Sequence, residues 1–225
     1  MAHLQKRKIK DLLYEQVSFV GKALSSPKRL ELIEVLVQGE KKVDTLAREV
    51  DIDIKLASSH LKVLKEARLV TARRVGKNTY YSLSGEDVAL LWVCIYSVAA
   101  EHRLELQSVM EKIVAAPERL TPETRQGLLE KVRSGDVLVL DVRPTDEYQS
   151  GHLPHARSMP VQELEHRLDE LPKDKLIVAY CRGPFCLFSS EAVELLRKHG
   201  FRAEKIGDGV AEWAAAGLPL EESSS

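Results

Sequence analysis

A cysteine stands where an apolar run gives way to a turn. Residues 176–180, Leu-Ile-Val-Ala-Tyr, are short, continuous and apolar, the pattern of a strand buried on both faces, and Cys181 follows at the carboxyl end. Arg182, Gly183, Pro184, Phe185 and Cys186 then read as a loop. Behind it a helical pattern sets Leu187, Ala192, Leu195 and Leu196 on one side and Glu191, Glu194 and Lys198 on the other. In an open α/β sheet, ligands meet backbone N–H groups and the helix dipole where a strand ends and a helix begins. A thiol placed there beside Arg182 is set to ionise, and a thiolate is a nucleophile that can take up a group and hand it on. The Arg, Gly and Pro of the loop suit an exposed turn, so the sequence predicts an accessible, reactive Cys181. Cys186 is balanced between a small loop-packing residue and a resolving thiol.

A second set of residues has a different chemistry. Over residues 54–67, Ala57, Leu61 and Leu64 recur at helical spacing and must face a core, while Lys55, Ser58, Lys62 and Lys65 recur on the opposite side with Ser59 and His60 alongside. Small hydroxyls let a helix approach base edges, and lysines at the rim neutralise phosphates. Asp53 caps this helix, and the turn 51–53 separates it from a short helix at 43–50. Upstream, Pro27 opens a helix that stops near Gly39, and a further helix covers 10–23. Downstream, the runs 69–74 and 78–83 flank Val75-Gly76-Lys77 as a hairpin whose tip carries Arg73, Arg74 and Lys77, a basic wing suited to backbone or minor-groove contact. Two short helices, a turn, a polar recognition face and a wing spell a helix-turn-helix that binds double-stranded DNA.

Charge follows the same division. Residues 1–83 hold 17 Lys and Arg against 10 Asp and Glu, net +7, and the remainder is net −8, so the near-neutral total hides a basic front and an acidic rear. Residues 85–115 read as one amphipathic helix. Its stripe includes Val88, Leu91, Trp92, Ile95, Ala99, His102, Leu106 and Ile113, and is long enough to pair with a second copy. Cys94 lies beside that stripe, either as ordinary packing or as a candidate sensor thiol. Residues 115–122 look like a linker, with Thr121 capping the next helix. Beyond it, a buried strand ends in Asp141 and Arg143, a short strand lies between Pro154 and Pro160, and a last strand covers 202–206. Strands alternating with helices imply a largely parallel sheet, and an Asp141–Arg182 pair is expected to fix the shape of the Cys181 loop. Three cysteines in 225 residues are no disulfide framework. With neither a long apolar run nor a secretory pattern, the expectation is a cytoplasmic protein without membrane contact.

The segments SSPKRLELIEVL, SSHLKVLKEARLV and GKNTYYSL resemble winged-helix repressors of the ArsR/SmtB family over about residues 11–113. That resemblance implies a homodimer, through the helices around 11–24 and 85–113, that leaves its operator when a sensing site is filled. The family's metal sites do not carry over: the third-helix region reads Glu40-Lys41-Lys42-Val43-Asp44 without a thiol. His102 and Glu105 are half of a last-helix site whose upstream positions are Ala89 and Leu91. A metal-responsive mechanism is therefore the weaker reading, no metal or cofactor is expected, and His102 reads as a core or interface residue. The segments LDVRPTDEYQSGHLPHARSMP, YCRGPFC and GFRAEKIGDGVAEWAAAGLPL resemble a rhodanese domain, and Cys181 matches its catalytic cysteine. Rhodanese-like phosphatases need an arginine six residues after the cysteine, where this chain has Leu187, so sulfur suits the loop better than phosphate. Two departures are Gly207-Asp208-Gly209, usually adjacent glycines, and Cys186.

The expected architecture is thus a mainly-α winged helix-turn-helix over 1–113, a linker at 114–122, and an α/β rhodanese-like domain with a central parallel sheet over 123–221. The expected function is a DNA-binding repressor whose Cys181 takes sulfane sulfur from a donor, holds it as a persulfide among the loop N–H groups, and yields it to an acceptor thiol. The competing readings are an enzyme uncoupled from its DNA-binding half and a rhodanese fold that binds without turnover.

Overall fold

The computed structural model describes residues 2–111 and 122–222. The predicted linker lies outside these residues apart from Pro122, as do the Thr121 cap and Ile113. The chain forms two compact units, 1–92 and 93–225.

The first unit runs α1 (Ala2–Leu24), α2 (Pro27–Val37), β1 (Lys41–Lys42), α3 (Val43–Glu49), α4 (Ile54–Glu66), β2 (Val70–Val75) and β3 (Asn78–Leu83). Pro27 occupies the first turn of α2, where its missing N–H costs nothing. Asp53 caps α4 by accepting from the Leu56 N–H at 2.9 Å. Gly76 takes φ +59, as a tight hairpin turn requires. The core is Leu32, Ile33, Leu36, Leu46, Ala57, Leu61 and Leu64, all but sealed from water, so the expected inner face of α4 is its inner face. The sheet order is β1-β3-β2, antiparallel throughout. The two-residue β1 carries no apolar pattern in the sequence; it pairs with β3 at Tyr81 and Tyr80, and its buried Lys41 reaches Glu49 at 3.5 Å.

Helix α5 (Glu86–His102) begins in the first unit and ends in the second. The single helix expected over 85–115 is interrupted: Arg103 leaves helical geometry at φ −105, ψ 99, and α6 restarts at Leu104 and runs to Val109. The break falls at Glu101-His102-Arg103, all exposed, where no burial repays continuing the helix. His102 is accordingly not a core residue.

In the second unit α7 (Pro122–Arg133) precedes β4 (Val137–Asp141), α8 (Thr145–Ser150), β5 (Arg157–Ser158) and α9 (Val161–Leu164), which runs on into a 3-10 turn over Glu165–Glu170. Then come β6 (Leu176–Tyr180), α10 (Phe188–Lys198), β7 (Arg202–Lys205) and α11 (Val210–Ala215). The sheet is wholly parallel in the order β5-β4-β6-β7, with Asp141 opposite Tyr180 and Ala179 opposite Lys205. Strand β6 is buried on both faces. Ile177, Ala179 and Cys181 join a core with Leu140, Ala192 and Leu196, while Val178 and Tyr180 join another with Val139 and Trp213. This alternation, with period two, points Cys181 toward α10. No described helix is long and apolar enough to cross a membrane.

Candidate functional site

Cys181 is buried at 2 % exposure, which corrects the expectation of a surface thiol: it continues the inward face of β6, and the loop closes over it. Its sulfur lies 3.3 Å from Ser189 Oγ, 3.4 Å from the Cys186 carbonyl and 3.9 Å from the Gly183 carbonyl. Burial alone would raise its pKa. Hydrogen bonds from the Cys186 thiol, the Ser189 hydroxyl and the Ser189 and Gly183 amides outweigh that and lower it to about 7.

The loop's N–H groups are shared differently from the sequence expectation. Pro184 has none, and the Cys186 N–H is spent on the Gly183 carbonyl at 3.2 Å. The Arg182 and Phe188 amides serve the sulfur of Cys186 instead. Cys186 donates its proton toward Cys181, and this, with burial, raises its own pKa. The loop is therefore a ring of donors around two adjacent sulfurs, one of them already supplied by Cys186.

Asp141 and Arg143 are fully buried and bound to each other, through Arg143 Nε at 3.0 Å, with Tyr180 donating its hydroxyl to Asp141 and Arg143 donating to the Gly151 carbonyl. Arg182 pairs with Glu147 instead, through Nε at 3.0 Å. The expected Asp141–Arg182 pair does not form, because the carboxylate of Asp141 points back to the guanidinium two residues on. Glu147, fully buried in its side chain, gave no signal in the sequence beyond an acid in a short helix. Lys205 is a cation that feels the charge of Cys181, and it donates to Ser190 Oγ at 2.7 Å. Ser189, Lys205 and Glu147 are the site residues that sequence reasoning missed. Ser189 stands in the first turn of α10, where a hydroxyl facing back toward a strand-end cysteine could have been suspected.

The loop also rests on Gly209. A Cβ there would meet the Cys181 carbonyl and Arg182 backbone atoms at 2.6 Å, so only glycine permits the approach. Neighbouring Asp208 is buried and pairs with Arg125 of α7 at 2.6 Å, which gives the departure at Gly207-Asp208-Gly209 a structural reason.

On the first unit, Lys55, Ser58, Ser59, Lys62 and Lys65 are exposed on α4, with His60 half-buried. Lys62 lies 3.9 Å from Glu66. Arg74 and Lys77 are exposed on the wing, whereas Arg73 is held by Glu40 through Nε at 3.2 Å and stacks over Tyr80. Cys94 is exposed on α5. Among the described residues no group of three or more His, Cys, Asp and Glu gathers as a metal site would.

Fold and site together define a winged-helix DNA-binding regulator joined to a rhodanese-like module. The family model for bacterial regulatory proteins of the arsR family matches residues 26–72, and that for the rhodanese-like domain matches 124–216. The HTH-type transcriptional regulator Rv0324 of Mycobacterium tuberculosis is 41 % identical over 96 % of this chain and 94 % of its own. A sulfurtransferase of Allochromatium vinosum is 35 % identical over 38 % of this chain and 78 % of its own. A solution structure described as the homodimeric winged helix-turn-helix DNA-binding domain of Mb0332 from Mycobacterium bovis is 42 % identical, covering 43 % of this chain and 89 % of that one, with a TM-score of 0.40. The chain belongs to the ArsR family of transcriptional regulators and carries a rhodanese domain behind its DNA-binding domain.

Proposed function

We propose that this regulator is a cytoplasmic homodimeric repressor that senses reactive sulfur by carrying it on Cys181, with sulfurtransferase activity as the loading chemistry. The observation that carries this reading is the environment of Cys181: a sulfur at a strand end, ringed by a hydroxyl, amides and a second thiol that lower its pKa to about 7. The thiolate attacks the sulfane sulfur of a donor such as thiosulfate, the donor's S–S bond breaks, sulfite leaves with the electron pair, and Cys181 is left as a persulfide anion. An acceptor thiol takes the outer sulfur and restores the Cys181 thiolate. Where no acceptor arrives, Cys186 attacks Cys181 Sγ, hydrosulfide leaves with the thiol proton, and an intraloop disulfide remains. The sulfurtransferase relative supports the activity, and the regulator relative supports its use in transcription.

The homodimer reading is supported by the apolar side of α1, where Leu12, Leu13, Val17 and Phe19 are each more than half exposed. Thiosulfate followed by intact-mass measurement tests the loading step: wild type gains one sulfur and Cys181→Ser gains none. Equal gain by both proteins removes the reading.

A further inference from the structure

The second unit begins within α5, and Tyr96, one turn further on, is buried against the sulfur loop. Its hydroxyl donates to Glu212 Oε1, and its ring meets that of Phe185 edge-on, with centroids 5.7 Å apart. Glu212, itself 2 % exposed, accepts from the Gly209 N–H at 2.7 Å through its other oxygen. Both its oxygens lie 3.3 Å from where a Cβ on Gly183 would stand. One carboxylate thus touches the loop at Gly183, its support at Gly209, and α5 through Tyr96. None of this serves the thiol chemistry directly.

The loop as it stands suits an unloaded cysteine. The Cys186 and Gly183 carbonyls lie within 4 Å of Cys181 Sγ, where they can accept from a thiol and offer no hydrogen bond to a further, anionic sulfur. Loading adds an atom about 2.05 Å beyond Sγ, on a residue that is only 2 % exposed. The incoming persulfide anion seeks the donors of the ring, some of which Cys186 holds. Cys186 must yield, and Phe185 is its neighbour in the chain. Gly183, at φ +146, is the position at which the backbone can turn, and Glu212 lies against it.

We propose that Tyr96 and Glu212 form the latch through which sulfur on Cys181 is read by α5, Tyr96 acting as a positioning residue rather than a catalytic one. In the unloaded state the Tyr96–Glu212 hydrogen bond and the Tyr96–Phe185 contact hold α5 to the closed loop. Loading displaces Phe185 and Gly183, the latch opens, and α5 is released from that restraint. Since α5 is one helix from Glu86 onward, its first turns belonging to the first unit, the state of the loop reaches the DNA-binding fold along a continuous element. This inference rests on the sulfur-sensing reading and specifies its output.

The test uses the full-length protein and a duplex selected from a random-sequence pool by the reduced wild type. Tyr96→Phe keeps the ring against Phe185 and removes only the hydroxyl; Glu212→Gln keeps the shape and loses one acceptor. Intact mass follows loading by thiosulfate, and DNA affinity is measured before and after. The expected result is that all three proteins load, and that wild type loses DNA affinity on loading by about tenfold or more. Both variants should show the same affinity loaded and unloaded, and the double variant should show nothing further. Variants that release the duplex on loading as wild type does overturn the latch while leaving sulfur sensing intact. A wild type that loads and keeps its duplex overturns both. Variants that no longer load place Tyr96 in the loading chemistry and overturn the latch as stated.

Discussion

Arg182 is bound to Glu147, through Nε at 3.0 Å, and the pair is withdrawn from solvent, at 12 % and 0 % side-chain exposure. A guanidinium so engaged fixes the start of the sulfur loop against α8. Removing it takes the bound cation away from a fully buried carboxylate. Arg182→Ala is therefore expected to lower the stability of residues 93–225 by about 3 kcal/mol, read by urea unfolding. Arg182→Ala with Glu147→Leu should recover part of that loss. A single variant that retains full stability but needs far more thiosulfate to load would make Arg182 a donor-binding residue and not a fixing one.

What the sequence makes legible is whatever has a period or a local partner. The inner face of α4, the Asp53 cap, the Gly76 turn and the burial of β6 follow from spacing and turn chemistry, and the structure shows each of them. Partners far apart in the chain leave no such mark. Glu147 reaches Arg182 across 35 residues and Tyr96 reaches Glu212 across 116. Tyr96 follows Val88 and Trp92 at helical spacing on α5, so its burial is legible, but its partner is not. The composition of the Arg-Gly-Pro loop suggests an exposed turn, but it does not encode the close approach of Gly209 to the Cys181 and Arg182 backbone, which is long-range.

Gly209 has an ordinary backbone conformation, φ −110, so its requirement is one of space. A methyl group there meets backbone atoms of Cys181 and Arg182 at 2.6 Å and cannot be relieved by a side-chain rotation. Gly209→Ala is expected to destabilise the second unit by about 1–3 kcal/mol and to slow sulfur uptake by displacing the loop. Gly200→Ala is the contrast. A Cβ at Gly200 has open space at φ +82, so that substitution strains only the local backbone and should leave uptake intact. Chemical unfolding and thiosulfate loading of the two variants check this.

The pH profile of Cys181 tests the ring of donors. The thiolate is favoured over the thiol by the Cys186 thiol and by Ser189, and Lys205 supplies a nearby positive charge, so the reactive form persists down to about pH 7 and is lost below it. Cys186→Ala and Ser189→Ala each remove a hydrogen bond to the charged form, so in each the pKa of Cys181 rises and the profile moves toward higher pH. The measurement is the rate of iodoacetamide modification at Cys181 between pH 5 and 10, as roughly spans the thiol range, resolved by peptide mass. A profile unmoved in both variants would show that burial and helix position alone set the reactivity.

Lys65 and Arg73 contrast an exposed charge with an ion-paired one on the basic surface of α4 and the wing. Lys65 is exposed near the end of α4, whereas Arg73 is stacked over Tyr80 and held by Glu40, an ion pair that any phosphate must displace. A lysine that neutralises one phosphate releases about one counterion, so Lys65→Ala should weaken binding on all duplexes alike and reduce the slope of log affinity against log salt by about 1. Arg73→Ala should change that slope less, because the charge it removes is already balanced by Glu40. Glu40→Gln should act in the opposite sense, unmasking Arg73 and steepening the slope. Fluorescence anisotropy across a salt series distinguishes these outcomes. Equal slope changes for Lys65→Ala and Arg73→Ala, with none for Glu40→Gln, would mean that the Glu40 pair opens freely on DNA and that the wing contributes its full charge.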